Sequence, residues 1–232
     1  MRKEKLVILY EDTEILVCRK PSGLPVQTQN TGRQDLVNLL RSHRAQNKEE
    51  PYIGLVHRLD QPVEGVMVFA KTKKAAAHLS RQVAERSVGK YYLAVTDGKM
   101  DTLAGELEDY LLRDGKTNVS QVVQAGTKDA KLAKLSYEVL ATDEEKNTSF
   151  VKIHLLTGRH HQIRVQMSHV GYPLKGDRKY HPSPDGTGSV ALCSYSLTFS
   201  HPKTGERMTY AIWPDNRYFE PFLSCASRLD IK

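Results

Sequence analysis

Charged side chains interrupt an apolar stretch at residues 54–72, GLVHRLDQPVEGVMVFAKT. His57, Arg58 and Asp60 stand between two runs that are typical of a buried core. An isolated charge in such a place costs free energy unless it is paired or used for binding or chemistry. Asp60 also falls at the edge of a predicted strand, and the proline and glycine that follow it prevent a helix from continuing there. This cost is the first indication that the segment has a function.

A second charged stretch, TGRHHQIRVQMSHVGYP at residues 157–173, has the apolar spacing and the final Gly and Pro of a short helix. On that helix His160, Arg164 and Ser168 share one face, beside the apolar stripe. Arg164 then requires a carboxylate, unless it lies in solvent on a surface helix. A pair with Asp60 would hold the carboxylate ionised, which is the state that a nucleophile needs.

Composition limits the class of protein. The 232 residues contain 34 Lys and Arg against 27 Asp and Glu, a net charge of +7 that favours a polyanionic partner without proving one. Cys18, Cys193 and Cys225 form no close pair, which argues against a disulfide framework and favours a reducing compartment. No signal peptide is expected, and no stretch approaches the ~20 apolar residues that span a bilayer. We expect a cytoplasmic protein without a membrane partner.

Short apolar runs between turn residues predict mostly antiparallel strands, with few helices. Strand pairs are predicted in residues 6–20, 131–156 and 192–213, and helices in residues 35–43 and 72–90. Asp35 and Thr72 are the expected N-caps, and Gly89 is the expected end of the second helix. The fold class is α+β, with a large mixed, mainly antiparallel β-sheet flanked by helices and loops. Residues 98–131 are interpreted as an insertion lobe or a mobile β-arm.

Several motifs together resemble the RluA-type RNA pseudouridine synthase family. They are HRLD before a glycine and an apolar strand, KYYLAV, TGRHHQIR and GYPLKGDRKY. The opening ILYEDTEILVCRKPSGLPV and the closing hairpin around SHPKTGE are also similar to that family. The resemblance covers nearly the whole chain, and the order and spacing of four motifs are far more specific than HRLD alone. It implies a pseudouridine-synthase-like fold and a single catalytic domain over residues 1–232.

The resemblance also implies roles for three residues. Asp60 is the catalytic carboxylate, Arg164 is its salt-bridge partner, and Tyr92 stacks on or hydrogen-bonds the target uracil. The implied reaction converts uridine in structured ribosomal or transfer RNA to pseudouridine, with the base flipped out of its stack. Attack of the carboxylate on carbon 1′ and proton abstraction at carbon 2′ both remain open. No cofactor and no metal are implied, and we expect a monomer.

Residues around these motifs are candidates for contacts to RNA. The candidates are His57, Arg58, Lys71, Lys90, Arg159, His161, Gln162, Lys175 and Arg178. Arg58 either fills the gap left by the flipped base or forms a surface ion pair with Glu64. Each phosphate that a Lys or Arg neutralises should add about −0.7 to the log–log salt slope of binding to single strands.

The chain departs from the family pattern in three respects, one of which is His160 where Thr or Ser is common in the family. Gln61–Glu64 stands where many members have a small hydroxyl pair, which places an extra carboxylate near Asp60. The small N-terminal RNA-binding domain of many relatives is not expected, because the catalytic domain begins near residue 6. We therefore expect the catalytic domain itself to supply the RNA affinity.

Three other hypotheses are weaker. The histidines suggest zinc, but His161 and His169 are too far apart on a helix to share one ion, and no paired Cys supports them. Asp60 and Glu64 as the carboxylates of a glycosidase are disfavoured by the single Trp and the basic charge. An RNA-binding module on a catalytically inactive scaffold is the third, but such a binder has no use for Asp60, Tyr92 and Arg164 together.

Overall fold

The computed structural model describes residues 6–30, 32–183, 189–229 and 231. Residues 1–5, on which part of the expected absence of a signal peptide depends, lie outside them. The chain divides into two compact units, the first Met1–Gly89 with Ser194–Ile212 and the second Lys90–Cys193 with Trp213–Lys232. The prediction of one catalytic domain over the whole chain stays a prediction.

Strands make up most of the regular structure in both units. They are β1 (Val7–Glu11), β2 (Ile15–Lys20), β3 (Gly54–Leu55), β4 (Glu64–Ala70), β5 (Gly89–Asp97), β6 (Ala104–Asp114), β7 (Val119–Val123), β8 (Lys131–Asp143), β9 (Thr148–Leu155), β10 (Leu192–Ser200) and β11 (Arg207–Ala211). The helices are α1 (Leu36–Gln46), α2 (Lys73–Ala84), α3 (Gln162–His169) and a 3₁₀ segment (Arg217–Arg228). All three predicted strand pairs are confirmed.

In the first unit the strand order is β1-β2-β4-β10, with β3 beside β4 and β11 beside β10. The β1–β2, β2–β4, β3–β4 and β10–β11 pairs are antiparallel. Strand β4 is buried along its whole length. Gly65 near its start has a φ of +147°, and a Cβ there would lie 2.5 Å from the Ser194 Cβ. Only a glycine therefore fits after the HRLD motif.

Both helices of the first unit begin where their caps were predicted. The Asp35 side chain accepts the Asn38 N–H at 2.8 Å, and the Thr72 hydroxyl accepts the Ala75 N–H at 3.1 Å. Helix α2 ends earlier than predicted, because Arg86 takes the left-handed conformation at φ 58°. Gly89, the predicted end of that helix, instead begins strand β5.

In the second unit the strand order is β5-β9-β8-β6-β7, and each of these pairs is antiparallel. Residues 98–131 contain the β6–β7 hairpin, and β6 pairs along β8. Helix α3 packs against this hairpin. The 3₁₀ segment, which the sequence did not reveal, lays Phe222 on Phe150 with the ring centroids 5.0 Å apart.

The predicted α+β class with a mainly antiparallel β-sheet is confirmed. Within the described ranges, no helix combines the length and the apolar character needed to cross a membrane.

Candidate active site

The Asp60 segment is the loop between β3 and β4. Asp60 is half-buried, and its neighbours Leu59 and Val63 are 8% and 2% exposed. The Val63 N–H donates to the Asp60 carbonyl at 3.1 Å, which closes a turn directly after the carboxylate. Two buried aliphatic anchors therefore hold the backbone on either side of Asp60.

Lys20, which the sequence did not single out, also fixes this loop. Its side chain is fully buried at the end of β2. The ammonium donates to the carbonyl oxygens of Pro21, Gln61 and Val63 at 2.9, 3.0 and 2.6 Å. A buried cation that binds three carbonyl groups pins the loop after the catalytic candidate. The only signal for it in the sequence is a lysine at the end of an apolar strand.

The other charged residues of the loop lie at different depths. His57 is half-buried, and its Nε2 accepts the Val68 N–H at 3.2 Å. Arg58 is exposed, as strand alternation predicted, and donates to the Gln27 side chain at 3.2 Å. Arg58 therefore has the exposure that an RNA contact needs.

Glu64, the extra carboxylate of this segment, is 3% exposed and forms an ion pair with Arg19 at 2.9 Å. This partner places Glu64 in the pairing of β2 with β4, where it stabilises the sheet. The contact argues against Glu64 as the second carboxylate of a glycosidase, which must approach the sugar as an acid or base.

Lys71, predicted to contact RNA, has an internal role instead. Its side chain is 4% exposed, and its Nζ lies 2.8 Å from both Glu11 and Glu49. Burial alone would raise the pKa of Glu11, but hydrogen bonds from Lys71 and His43 bring it below its usual value. The hydrogen bond from Lys71 also lowers the pKa of Glu49. The Lys71 charge is thus used within the protein, and we withdraw the predicted phosphate contact.

In the second unit, strand β5 separates two adjacent tyrosines. Tyr92 is 7% exposed and pairs in register with Ile153 of β9. Tyr91 points to the opposite face by strand alternation and stacks on His154 with the ring centroids 4.5 Å apart. Burial, together with the charges of Lys152 and Lys90, lowers the pKa of His154, which favours the neutral form of the ring in this stack. The tyrosine selected by the motif is therefore the more buried of the two.

Helix α3 carries Arg164, which is 3% exposed. Its Nε and Nη2 donate to Oδ2 and Oδ1 of Asp177, both at 2.7 Å. Asp177 is fully buried. The sequence predicted a carboxylate beside this arginine and named Asp60 as the partner, a pairing that stays a prediction; it did not single out Asp177.

Tyr180 forms a second wall beside the guanidinium, with the Arg164 Cζ 5.2 Å from its ring centroid. The Tyr180 hydroxyl accepts the Ser120 N–H at 2.8 Å and lies 2.7 Å from His161 Nδ1. Arg164 is therefore contacted by a carboxylate and an aromatic ring from one short segment.

Two predicted RNA contacts of the TGRHHQIR motif are internal. Gln162 is 3% exposed; its Oε1 accepts from the Thr157 hydroxyl and the Arg159 N–H, and its Nε2 donates to Gln166. His161 is 7% exposed and takes the left-handed conformation at φ 54° before α3. Both residues shape the N-terminal end of α3, and their contact with RNA stays a prediction.

The remaining basic candidates keep more access to solvent. Arg159 is half-buried, with its Nε donating to the Leu132 carbonyl at 2.9 Å. Lys175 lies 3.5 Å from Asp97, and its side chain is 22% exposed. Lys90 is half-buried and Arg178 is exposed. These four residues stay predicted RNA contacts, as do His57 and Arg58.

Asp60 lies in the first unit, whereas Tyr92 and Arg164 lie in the second. The prediction that these three side chains act in one site therefore stays a prediction. In the described part of the chain, no group of three or more His, Cys, Asp or Glu side chains is placed to hold a metal ion.

Comparison with known proteins gives one family. A family model described as RNA pseudouridylate synthase matches residues 14–169. An uncharacterized RNA pseudouridine synthase, YhcT of Bacillus subtilis, is 33% identical over 203 residues, covering 87% of this chain and 66% of the relative. The ribosomal large subunit pseudouridine synthase D of Pseudomonas aeruginosa is 38% identical over 223 residues, covering 89% and 67%.

Its counterpart in Nitrosomonas europaea is 35% identical over 213 residues, covering 87% of this chain and 60% of the relative. The chain thus spans 60–67% of the length of these three relatives. Among solved structures, human RNA pseudouridylate synthase domain containing 4 superposes with a TM-score of 0.75 at 25% identity, covering 92% of this chain and 90% of that one.

Proposed function

Because the chain belongs to the RNA pseudouridylate synthase family, we propose that it isomerises uridine in RNA to pseudouridine. The observation that carries this proposal is the family match over residues 14–169, a range that includes Asp60, Tyr92 and Arg164. Arg164 adds support because it is buried and bound to a carboxylate. A solvated arginine would have favoured an ordinary surface helix without a role in the reaction.

In the proposed reaction the bond from ribose carbon 1′ to uracil nitrogen 1 breaks. The freed uracil turns, and a new bond joins its carbon 5 to carbon 1′, while carbon 5 releases its proton and nitrogen 1 takes one up. The product has the same atoms as the substrate, so no oxidant, reductant or second substrate is consumed. Asp60 is the proposed carboxylate, acting either on carbon 1′ as a nucleophile or on the carbon 2′ proton as a base.

The target base must leave its stack before this chemistry, which costs on the order of a few kcal/mol. We propose that Tyr92 offsets this cost by stacking on the flipped uracil. Its low exposure on β5 supports the assignment, because a buried ring has one fixed orientation. Arg58 and Arg178 are the proposed phosphate contacts with the clearest exposure.

We further propose ribosomal RNA as the substrate, since two of the relatives described above are named for the large ribosomal subunit. Transfer RNA, the other substrate expected from the sequence, becomes an outcome of the test below. A monomeric, cytoplasmic enzyme is part of the proposal. The proposed cytoplasmic location is supported by the three buried cysteines, Cys18, Cys193 and Cys225, which form no disulfide.

The test is tritium release from RNA labelled at uracil carbon 5, with ribosomal and transfer RNA supplied separately. Wild-type protein should release tritium from the ribosomal fraction, and Asp60→Ala should release none. Asp12→Asn is the matched control, because Asp12 is a half-buried carboxylate bound to His201 at 2.8 Å outside the TGRHHQIR and HRLD motifs. Equal release by wild type and Asp60→Ala would remove Asp60 from the mechanism, and release from transfer RNA alone would reassign the substrate.

A further inference from the structure

We propose that Asp177 is a positioning residue for the reaction, which holds the guanidinium plane of Arg164 in one orientation. This inference rests on the proposed function. It assigns a role to a carboxylate that does not itself touch the substrate.

The contact between the two residues has the geometry that fixes a plane. Nε and Nη2 of Arg164 meet the two carboxylate oxygens of Asp177 at 2.7 Å each. Two parallel hydrogen bonds between planar groups prevent rotation of the guanidinium, whereas a single bond would leave it free to swing. Asp177 uses two of the five N–H donors of the guanidinium.

Asp177 is itself held rigidly. Its Oδ1 also accepts the backbone N–H groups of Lys179 at 3.0 Å and Tyr180 at 3.3 Å. The preceding residue, Gly176, has a φ of +73°, and a Cβ there would lie 2.1 Å from the Ser189 carbonyl oxygen. The turn that carries Asp177 therefore accepts only glycine at this point and has little freedom to shift.

Tyr180 restricts the guanidinium from a second direction, with its ring centroid 5.2 Å from Arg164 Cζ. The ring is fixed at its hydroxyl by the Ser120 N–H and His161. Its backbone is fixed by Ser168, which donates to the Tyr180 carbonyl at 2.6 Å. Arg164 and Ser168 lie one turn apart on α3, so the helix and the 177–180 segment hold each other at two points.

Packing alone does not explain an ion pair at this depth. A buried pair loses most of its Coulombic gain to desolvation, and apolar side chains of similar size are often no less stabilising. The side chains of Arg164 and Asp177 are nevertheless 4% and 0% exposed. Orientation is what a bidentate pair supplies and an apolar pair does not.

The pairing also changes what Arg164 offers to another anion. Arg164 and Asp177 together carry no net charge, so their attraction for a further carboxylate depends on directed N–H groups more than on long-range charge. A lysine at position 164 keeps the charge but has no planar fork. Arg164→Lys should therefore resemble the loss of Asp177 in its effect on rate.

The experiment is a double-mutant cycle with Asp177→Asn and Arg164→Lys, measuring the single-turnover rate and the dissociation constant for RNA. Asp177→Asn should slow the reaction on the order of 100-fold, the cost of a misplacement of about 1 Å, and change RNA affinity by less than about twofold. Because both changes act through one guanidinium orientation, the double variant should be no slower than the slower single variant.

Asp12→Asn is again the matched control and should keep the wild-type rate. Asp177→Glu keeps the charge but displaces the carboxylate by one methylene in a fully buried site, and it should also slow the reaction. It tests the proposal if Asp177→Asn does not fold. A folded Asp177→Asn at the wild-type rate, equal losses in rate and RNA binding, or multiplicative losses in the double variant would overturn the proposal.

A spectroscopic readout separates this inference from the proposed function. The ¹⁵N-labelled wild type should show a sharp, exchange-protected Arg164 Nε–H signal, and Asp177→Asn should lose that protection. If the wild type isomerised no RNA, the proposed function would fail, while the Nε–H signal would still decide whether Asp177 orients Arg164. An unchanged signal in Asp177→Asn would overturn the positioning role.

Discussion

Lys71 in the first unit and Arg164 in the second are both buried basic side chains, but their carboxylate partners differ. Both side chains are 4% exposed, and both bind carboxylates. The carboxylates of Lys71 remain in reach of water, with Glu11 at 20% and Glu49 at 38% exposure, whereas Asp177 is fully buried.

This difference separates two roles of an ion pair. The Lys71 pairs join neighbouring segments near the surface, whereas the Arg164–Asp177 pair fixes the orientation of a side chain. Lys71 is a compact charge that two flexible, partly hydrated acids share. Arg164 has a planar guanidinium that contacts the buried Asp177 carboxylate and the Tyr180 ring. Burial of the cation alone does not distinguish the two cases; the exposure of its partners does.

The largest expected loss of stability follows the removal of the fully buried Asp177 carboxylate from Arg164. Asp177→Ala leaves the Arg164 guanidinium in its buried position without this carboxylate, and breaking a buried pair in this way typically costs about 3–5 kcal/mol. Glu49→Ala removes a partly exposed partner and should cost about 0–1 kcal/mol, since Glu11 stays beside Lys71 and the Arg44 guanidinium, which also pairs with Glu49, keeps two backbone carbonyl acceptors. Urea unfolding of both variants measures the difference, and equal losses would contradict the comparison.

An intermediate effect is expected when Lys71 is replaced by Met, which has a similar length and no charge. Lost hydrogen bonds to two carboxylates that water can reach should lower the free energy of unfolding by about 2 kcal/mol. RNA affinity and its salt dependence should stay unchanged, because the Lys71 ammonium is bound to Glu11 and Glu49.

Arg178→Met, at an exposed position, is the matched comparison for that measurement. If Arg178 binds a phosphate, its loss should reduce the log–log salt slope by about 0.7. A reduced slope for Lys71→Met would restore the phosphate contact that the structure led us to withdraw.

The smallest expected effect is on the stability of the protein at acidic pH. The pKa values of Glu11 and Glu49 are below their usual range in the folded protein. Their contribution to stability is therefore complete above the unfolded-state pKa of about 4.3 and is lost as the pH falls through the lower folded values. In Lys71→Met, stability should fall less steeply between pH 5 and pH 3, as measured by thermal unfolding. An unchanged pH dependence would show that other carboxylates control the loss of stability in acid.

Sequence reasoning succeeded where the physical cause is local. The caps at Asp35 and Thr72 depend only on N–H groups three residues away, so their positions were predictable. It failed at Lys71, because a lysine beside Lys73 and Lys74 has the pattern of a solvated helix start. Its depth is set by Glu11, 60 residues earlier in the chain.

The site shows the same division. The motifs identified Arg164 and its need for a carboxylate, but several acids were available and only the folded turn at Gly176 places Asp177 against it. Lys20 was missed because its acceptors are backbone carbonyls, which have no signature in side-chain types. The left-handed His161 was missed because positive φ is rare outside glycine.

The contacts from the β6–β7 hairpin to the 177–180 segment bear on how far this protein can be trimmed. Ser120 donates to the Tyr180 hydroxyl, and the Lys179 ammonium donates to the Asn118 carbonyl at 2.7 Å. A shortened version lacking residues 98–131 would keep every residue of the recognised motifs and still lose the support of the ring beside Arg164. The smallest version that keeps Arg164 positioned should therefore include this hairpin, and exchanging it for that of a relative would transplant part of the scaffold behind this arginine.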